Sequence, residues 1–170
     1  SLRGLLGPAV SAGAVAVIPT VRGVQLVGLL TGSAMTRPVT PPEGREETLP
    51  DVPAAAIDGM VFTAIDARTI VALPARSEAT PVWRQSLETN RIGMVAAADR
   101  APAVIAADWS AAWVLDPATG RVRRRVALEE DAEAAKPTEL HGVVPHRSVV
   151  AGALAVLARG RELTAWRLTS

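Results

Sequence analysis

The feature that most restricts this chain is a recurrence. Four times, a short apolar run meets a small polar turn and then a second apolar run. The first is Ala14 to Ile18, a turn over Pro19 to Gly23, and Val24 to Leu30 ending in Thr31-Gly32. The second is Met60 to Ile65, turning at Asp66-Ala-Arg68 into Thr69 to Leu73. The third is Ala103 to Ala107, turning over Asp108 to Ala111 into Ala112 to Leu115. The fourth is Ala153 to Leu157, turning at Ala158-Arg159-Gly160 into Arg161 to Trp166. The pattern returns roughly every forty to fifty positions, the signature of stacked supersecondary units.

The runs are strands by length and content. They are short, rich in Val and Ile, and bounded by Gly, Pro or Asp. A stable helix needs a longer periodic stretch than these windows offer, and 13 prolines fragment the chain further. Only the segment Glu129 to Lys136 has helix-friendly composition, and it reads as a surface loop with a helical turn. The expected fold class is all-β. Hydrophobic residues make up 49% of the chain with one Phe and no Tyr. Ala and Val must therefore fill the interior, which requires closely approaching layers.

Within the third unit the corner Asp116-Pro-Ala-Thr-Gly120 has a physical logic. Asp116 can accept hydrogen bonds from backbone N–H groups two or three residues on. Pro117 presets φ for a type I turn, and Gly120 takes a left-handed conformation at no Cβ cost. The corner predicts an antiparallel hairpin between Trp113–Leu115 and Val122–Val126. Strict alternation would put Val122, Arg124 and Val126 on one face and Arg123 and Arg125 on the other.

These residues resemble a known repeat. Val114-Leu-Asp-Pro-Ala-Thr-Gly120 is similar to the centre of the blade motif of pyrroloquinoline-quinone-type (PQQ-like) β-propellers. Val82-Trp-Arg84 looks like the Trp-Arg end of the preceding blade, and Leu163-Thr-Ala-Trp-Arg-Leu168 like a final inner-to-middle strand. Departures are visible: Arg124 stands where the family's docking Trp falls, and the first and last units lack Asp-x-x-Thr-Gly. The resemblance implies a β-propeller of about four degenerate blade units, near 9–38, 52–87, 92–128 and 140–168, within residues 1–170. Four blades are the low end for such rings, and an open arc leaves an apolar blade face at each end. The expectation is therefore the carboxy-terminal part of a seven- or eight-bladed ring. Its other blades would come from an upstream segment, a second chain or a symmetry mate. A start at Ser1, without Met, fits a missing upstream part.

Charge and composition narrow the function. Eighteen basic and 17 acidic residues nearly cancel, which argues against a nucleic-acid binder acting by bulk charge. Seventeen of the eighteen bases are Arg, scattered along the chain as codon bias would leave them. The absence of Cys excludes disulfides and thiolate-bound metals. Leu5 to Val21 is uncharged, but Pro8 and Pro19 interrupt it, so a buried strand pair is favoured over a leader or membrane span.

His141 and His146 straddle a Gly and a Pro; beside Glu139 they read as loop and strand-edge histidines rather than a metal set. The run Glu129, Glu130, Asp131, Glu133 lacks calcium-loop spacing and reads as a solvated loop. Gly28-Leu-Leu-Thr-Gly-Ser33 lacks the Lys of a phosphate loop and reads as a strand end and turn. The cluster Arg121, Arg123, Arg124, Arg125 suits a charged edge strand that discourages edge-to-edge pairing, or an anionic partner's seat. Trp109 and Trp113 suit either packing between blades or a partner-binding hot spot. Candidate partner-binding residues are thus Trp109, Trp113, Arg123 and Arg125.

Quinone-dependent enzymes of the resembled family use a Ca²⁺-bound quinone, an acidic base and, commonly, a stacked Trp and adjacent cysteines. This chain has no cysteines and no clustered carboxylates in strand context. Other members are non-enzymatic scaffolds, such as the propeller lipoprotein of the bacterial outer-membrane barrel-assembly machinery. The resemblance therefore implies a non-enzymatic protein-interaction scaffold, extracytoplasmic or in the cell envelope, with no cofactor and no metal. Its partners would be proteins or the missing blades, in a membrane-associated complex, with no nucleic acid. The alternative is a ligand-binding or quinone-dependent propeller enzyme whose site lies in blades absent from this chain.

Overall fold

Alternation of small and branched apolar residues gives each strand two faces that can be buried, and the chain uses both. A computed structural model of the chain describes residues 9–20, 23–39, 52–75, 81–99, 101–108, 110–127, 146–151, 154–159 and 162–167. These contain strands and turns and no helix. The first sheet comprises β1 (Val10–Ala12), β2 (Val15–Thr20), β3 (Gly23–Gly28) and β4 (Ala34–Pro38). The second comprises β5 (Ala55–Ile57), β6 (Met60–Ala64), β7 (Thr69–Pro74) and β8 (Trp83–Ser86). The third comprises β9 (Met94–Ala98), β10 (Ala103–Ala107), β11 (Ala111–Leu115) and β12 (Val122–Ala127). The fourth contains β13 (His146–Ala151), β14 (Leu154–Arg159) and β15 (Glu162–Arg167).

Each sheet is an antiparallel meander in chain order. Its first strand lies innermost: β1 adjoins β5, β5 adjoins β9, and β9 adjoins β13. The sheets follow one another radially as blades. Because four antiparallel strands make up each of the first three blades, the chain enters and leaves each of them at the same rim. We call this the linker rim. The turns joining first to second and third to fourth strands therefore lie at the opposite, corner rim. Backbone bonds pair those turns, Leu29 N–H to Ala14 O (2.9 Å) in the first blade and Ala75 N–H to Gly59 O (2.7 Å) in the second.

Successive blades share their cores. Val17, Val24 and Leu26 of the first blade pack with Val61, Val71 and Leu73 of the second. The other face of the second blade, with Phe62, Ile70 and Trp83, packs against Val104, Trp113 and Leu115 of the third. The far face of the third blade, with Met94, Ile105 and Val114, meets Ala155 of the fourth. Each fully buried Val, Leu or Ile contributes roughly 1.5–3 kcal/mol. Alanines such as Ala72, Ala106 and Ala111 let the sheets approach, as the scarcity of aromatics requires.

Several elements differ from strict alternation and run length: Pro19 and Thr20 extend β2, Gly23 begins β3, Ala111 begins β11, and Ala158 and Arg159 extend β14, all of them expected in turns. The β11–β12 register shifts at Val114/Leu115, so Val122 rather than Arg123 faces Leu115. This bulge breaks the row of Val122, Arg124 and Val126 that alternation alone would make. Strand β3 ends at Gly28, so Leu29 and Leu30 belong to the turn rather than to the strand. The inner strands β1 and β5 have three residues each and β9 is mostly alanine, so none carries enough large apolar residues to register as a run. Strand β5 leads into an Asp58-Gly59 turn in which both φ angles are positive, at 48° and 75°, the geometry of a tight type I′ hairpin.

Trp83 joins the second and third blades. Its indole Nε1–H donates to Pro117 O at 2.9 Å, and its ring stacks on Phe62 with centroids 5.8 Å apart. Gly120, at φ +73°, lies beneath it: a Cβ there would fall 2.6 Å from Trp83 Cδ2 and Cε3. The corner's glycine thus serves both the turn and the neighbouring blade's indole. Gly120→Ala combines left-handed strain with overpacking and is expected to cost at least about 2 kcal/mol. Trp83→Phe, which loses the donor but keeps a ring, is expected to cost about 1 kcal/mol for the hydrogen bond alone. Urea unfolding measures both. A G120A variant as stable as wild type would mean the indole does not sit on this corner.

Candidate functional site

The third blade ends on an outer strand whose surroundings are set by the Asp116 corner. Asp116 Oδ1 accepts from the backbone N–H groups of Ala118 and Thr119, each at 2.9 Å. Gly120 N–H closes the turn onto Asp116 O at 2.8 Å. The second carboxylate oxygen meets Arg123 Nη2 at 2.6 Å, and Arg123 Nη1 donates to Pro102 O at 2.9 Å in the neighbouring turn of the same blade. The Arg123 guanidinium is the largest influence on Asp116. With the Thr119 and Ala118 N–H groups it lowers the carboxyl from 3.8 to about 2, against the smaller opposing effect of burial. A charged Asp116 is what holds Arg123 flat against the corner.

Arg121, just before β12, and Arg123, Arg124 and Arg125 within it are all exposed, whereas β11 is buried throughout. Arg125 faces Trp113 across the ladder, with its Cζ 5.8 Å from the ring centroid, within cation–π range. Trp113 itself is 3% exposed and packs in the core between the second and third blades. It supports Arg125 from beneath. Arg121 and Arg124 form no side-chain ion pair among the described residues. Trp109, His141 and the acidic run from Glu129 lie outside the described residues; His146 begins β13. The four candidate positions therefore resolve into Trp113 with Arg125, Arg123 on the adjoining corner, and Trp109 without a described placement.

A second polar cluster, at the linker rim, was not apparent from spacing. Asp108 Oδ1 accepts from Ser110 N–H and Ala111 N–H, both at 2.7 Å, and from Ser110 Oγ at 3.1 Å. Thr89, in the link from β8 to β9, donates its hydroxyl to Asp108 Oδ2 at 2.5 Å. Nearby, Leu87 N–H bonds Arg68 O and Ile92 N–H bonds Ala67 O, at 2.8 and 2.7 Å, and Gly93 N–H bonds Ala107 O at 2.9 Å. This link is stitched to the turns of both blades it joins. Asp66 caps its own turn likewise, with Oδ1 accepting from Arg68 N–H at 2.7 Å. Each of these aspartates directly follows an apolar run, which is the only signal the sequence carried. Among the described residues no three His, Cys, Asp or Glu side chains gather as a metal site, and no helix is long and apolar enough to cross a membrane.

With this geometry in hand, the chain can be compared with known proteins. No family model matches it, and no curated protein does. Solved structures match closely in shape. BamB from Moraxella catarrhalis superposes with a TM-score of 0.68 at 20% identity, covering 97% of this chain and 50% of that one. Hsv2p of Kluyveromyces lactis gives a TM-score of 0.70 at 11% identity, over 100% of this chain and 51% of that one. The fold is that of a β-propeller. The computationally designed Ika4 protein gives 0.69 at 12% identity, over 99% and 94%. The chain thus spans about half the length of BamB and Hsv2p and nearly all of Ika4. At these identities the likeness concerns fold alone.

The lowered Asp116 pKa carries a pH signature. A carboxyl whose folded pKa is depressed adds stability above its unfolded value, and that gain is lost as pH falls through the folded value. The stability gap between wild type and Asp116→Asn is expected to shrink as pH falls from about 5 to about 2. Urea midpoints across that range test this, and a constant gap would mean the ion pair adds nothing in solution.

Proposed function

We propose that this chain is a non-enzymatic protein-interaction scaffold of the PQQ-like propeller type, working in an extracytoplasmic or cell-envelope complex. The observation that carries the proposal is β12: a charged outer strand, exposed except at half-buried Val126, on a sheet whose other three strands are largely buried. Arg123 and Arg125 are held in place by Asp116 and Trp113, so they offer guanidinium groups to a partner at reduced entropic cost. Trp109, which lies outside the described residues, is proposed as a further partner contact. The buried aspartates cap turns, which suits a chain built to present its surface. The likeness to Moraxella catarrhalis BamB, together with the Asp-Pro-Ala-Thr-Gly corner and its docked Trp83, supports the PQQ-like branch and the envelope setting.

The same proposal takes the four blades as part of a seven- or eight-bladed ring. On the first blade, the face turned away from the second carries half-exposed Ala16, Ile18 and Val27. Gln25, in the same row, is buried, and its Oε1 lacks a hydrogen-bond partner among the described residues. An adjoining blade would cover the apolar groups and could donate to that oxygen.

Isolated under mild conditions from cells that make it, the scaffold is expected to retain a protein in stoichiometric amount. Arg125→Glu is expected to lower that retention about tenfold, while loss of the cation–π contact lowers the melting temperature by only a few degrees. A quinone or metal ion recovered in stoichiometric amount, with no protein, would instead favour the ligand-binding alternative.

A further inference from the structure

The faces that meet between blades use the same register positions in each blade. Facing the preceding blade are the cross-strand pairs Val61–Leu73 and Thr63–Val71 in the second blade, and Val104–Leu115 and Ala106–Trp113 in the third. All of these residues are buried. The matching pairs of the first blade are Ala16–Val27 and Ile18–Gln25, and there Ala16, Ile18 and Val27 are only half-buried. Gln25 stands where the next two blades place Val71 and Trp113. It is 8% exposed, and its Oε1 lacks a hydrogen-bond partner among the described residues.

Facing the following blade are Val17–Leu26, Phe62–Ala72 and Ile105–Val114 in the first three blades, again all buried. The corresponding pair of the fourth blade is Val156–Ala165. Ala155 packs against the third blade, so alternation turns Val156 and Ala165 away from it. Val156 is half-buried and Ala165 exposed. The chain thus has two open faces, one at each end of the arc. Both carry small apolar side chains at positions that its internal joints bury.

Resting on the ring reading above, we infer that a second copy of this chain covers both faces. The two copies are related by a twofold axis, with the fourth blade of each laid on the first blade of the other, a reciprocal contact of the kind twofold symmetry makes. Two sets of four sheets close an eight-bladed ring. Each open face then meets the kind of face that its equivalents already meet inside the chain. The proportions agree, since one copy superposes on 50% of BamB and 51% of Hsv2p. A first blade set on another first blade would leave Val156 and Ala165 open in both copies and close no ring. Strand β12 takes part in neither joint, so the partner surface stays free.

Sedimentation equilibrium of the purified 170-residue chain is expected to give twice the molar mass of one copy. Ile18→Lys and, separately, Ala165→Glu each bury an unpaired charge in both joints and are expected to weaken the dimer at least about tenfold. Mixing the two variants is expected to restore it, because one joint becomes wild type and the other brings the new cation to the new carboxylate. A monomeric chain, a dimer that Ala165→Glu leaves intact, or variants that stay apart when mixed would overturn the inference. The chain has no Cys, so Ala16→Cys and Ala165→Cys each report one face by maleimide labelling in cells. Shielding of both thiols in a complex without a second copy would overturn the inference and leave the ring reading standing. Full labelling at both positions would remove the ring reading as well.

Discussion

Everything in this molecule depends on apolar sheet faces meeting blade to blade. A single four-stranded meander of this composition cannot bury both of its faces, and here the interior blades have both faces occupied. The second blade gives one face to Val17 and Leu26 and the other to Trp113 and Leu115. Stability is therefore a property of neighbours, as in other stacked-repeat architectures. Alanine makes this workable. With one Phe and no Tyr in the chain, the sheets must come close for their thin side chains to touch, and Trp83 packs between Phe62 and the Gly120 corner.

Close approach leaves polar groups little freedom, and their placement follows. The chain turns where Asp66, Asp108 and Asp116 can accept backbone N–H groups that would otherwise be stranded at strand ends. At the linker rim this capping is fused with the connection between blades through Thr89 and Asp108. At the corner rim the connection is the indole of Trp83 on Pro117 and Gly120. The two rims are thereby unequal. One joins blades through the chain links and their capped turns, and the other through a single indole laid on the next blade's corner.

Sequence and structure agree most where periodicity is strong. The Asp66, Asp108 and Asp116 turns stand where apolar runs break, because few side chains other than Asp can cap a turn so locally. The inner strands escaped notice: three residues such as Ala55–Ile57 form a strand only because β6 and β9 lie beside them. The bulge at Leu115 was also hidden, since register is decided by the partner strand and not by alternation within one. Of the candidate site, the exposure of Arg123 and Arg125 follows from an edge-strand pattern. The burial of Trp113 and the ion pair to Asp116 needed coordinates, because they depend on which blade stands next.

By itself the amino-acid sequence determined that this chain is all-β, that it turns at Asp-capped corners, and that its units recur at blade spacing. Those properties are local, set by runs of a few residues and by the conformational limits of Gly, Pro and Asp. Only the tertiary structure decided that Trp83 rests on Gly120 from another blade, and that Leu30, Val82 and Val122 share a rim. These residues are far apart along the chain, and what brings them together is the even number of strands in each of the first three blades. That parity is a topological fact no short stretch of residues can carry.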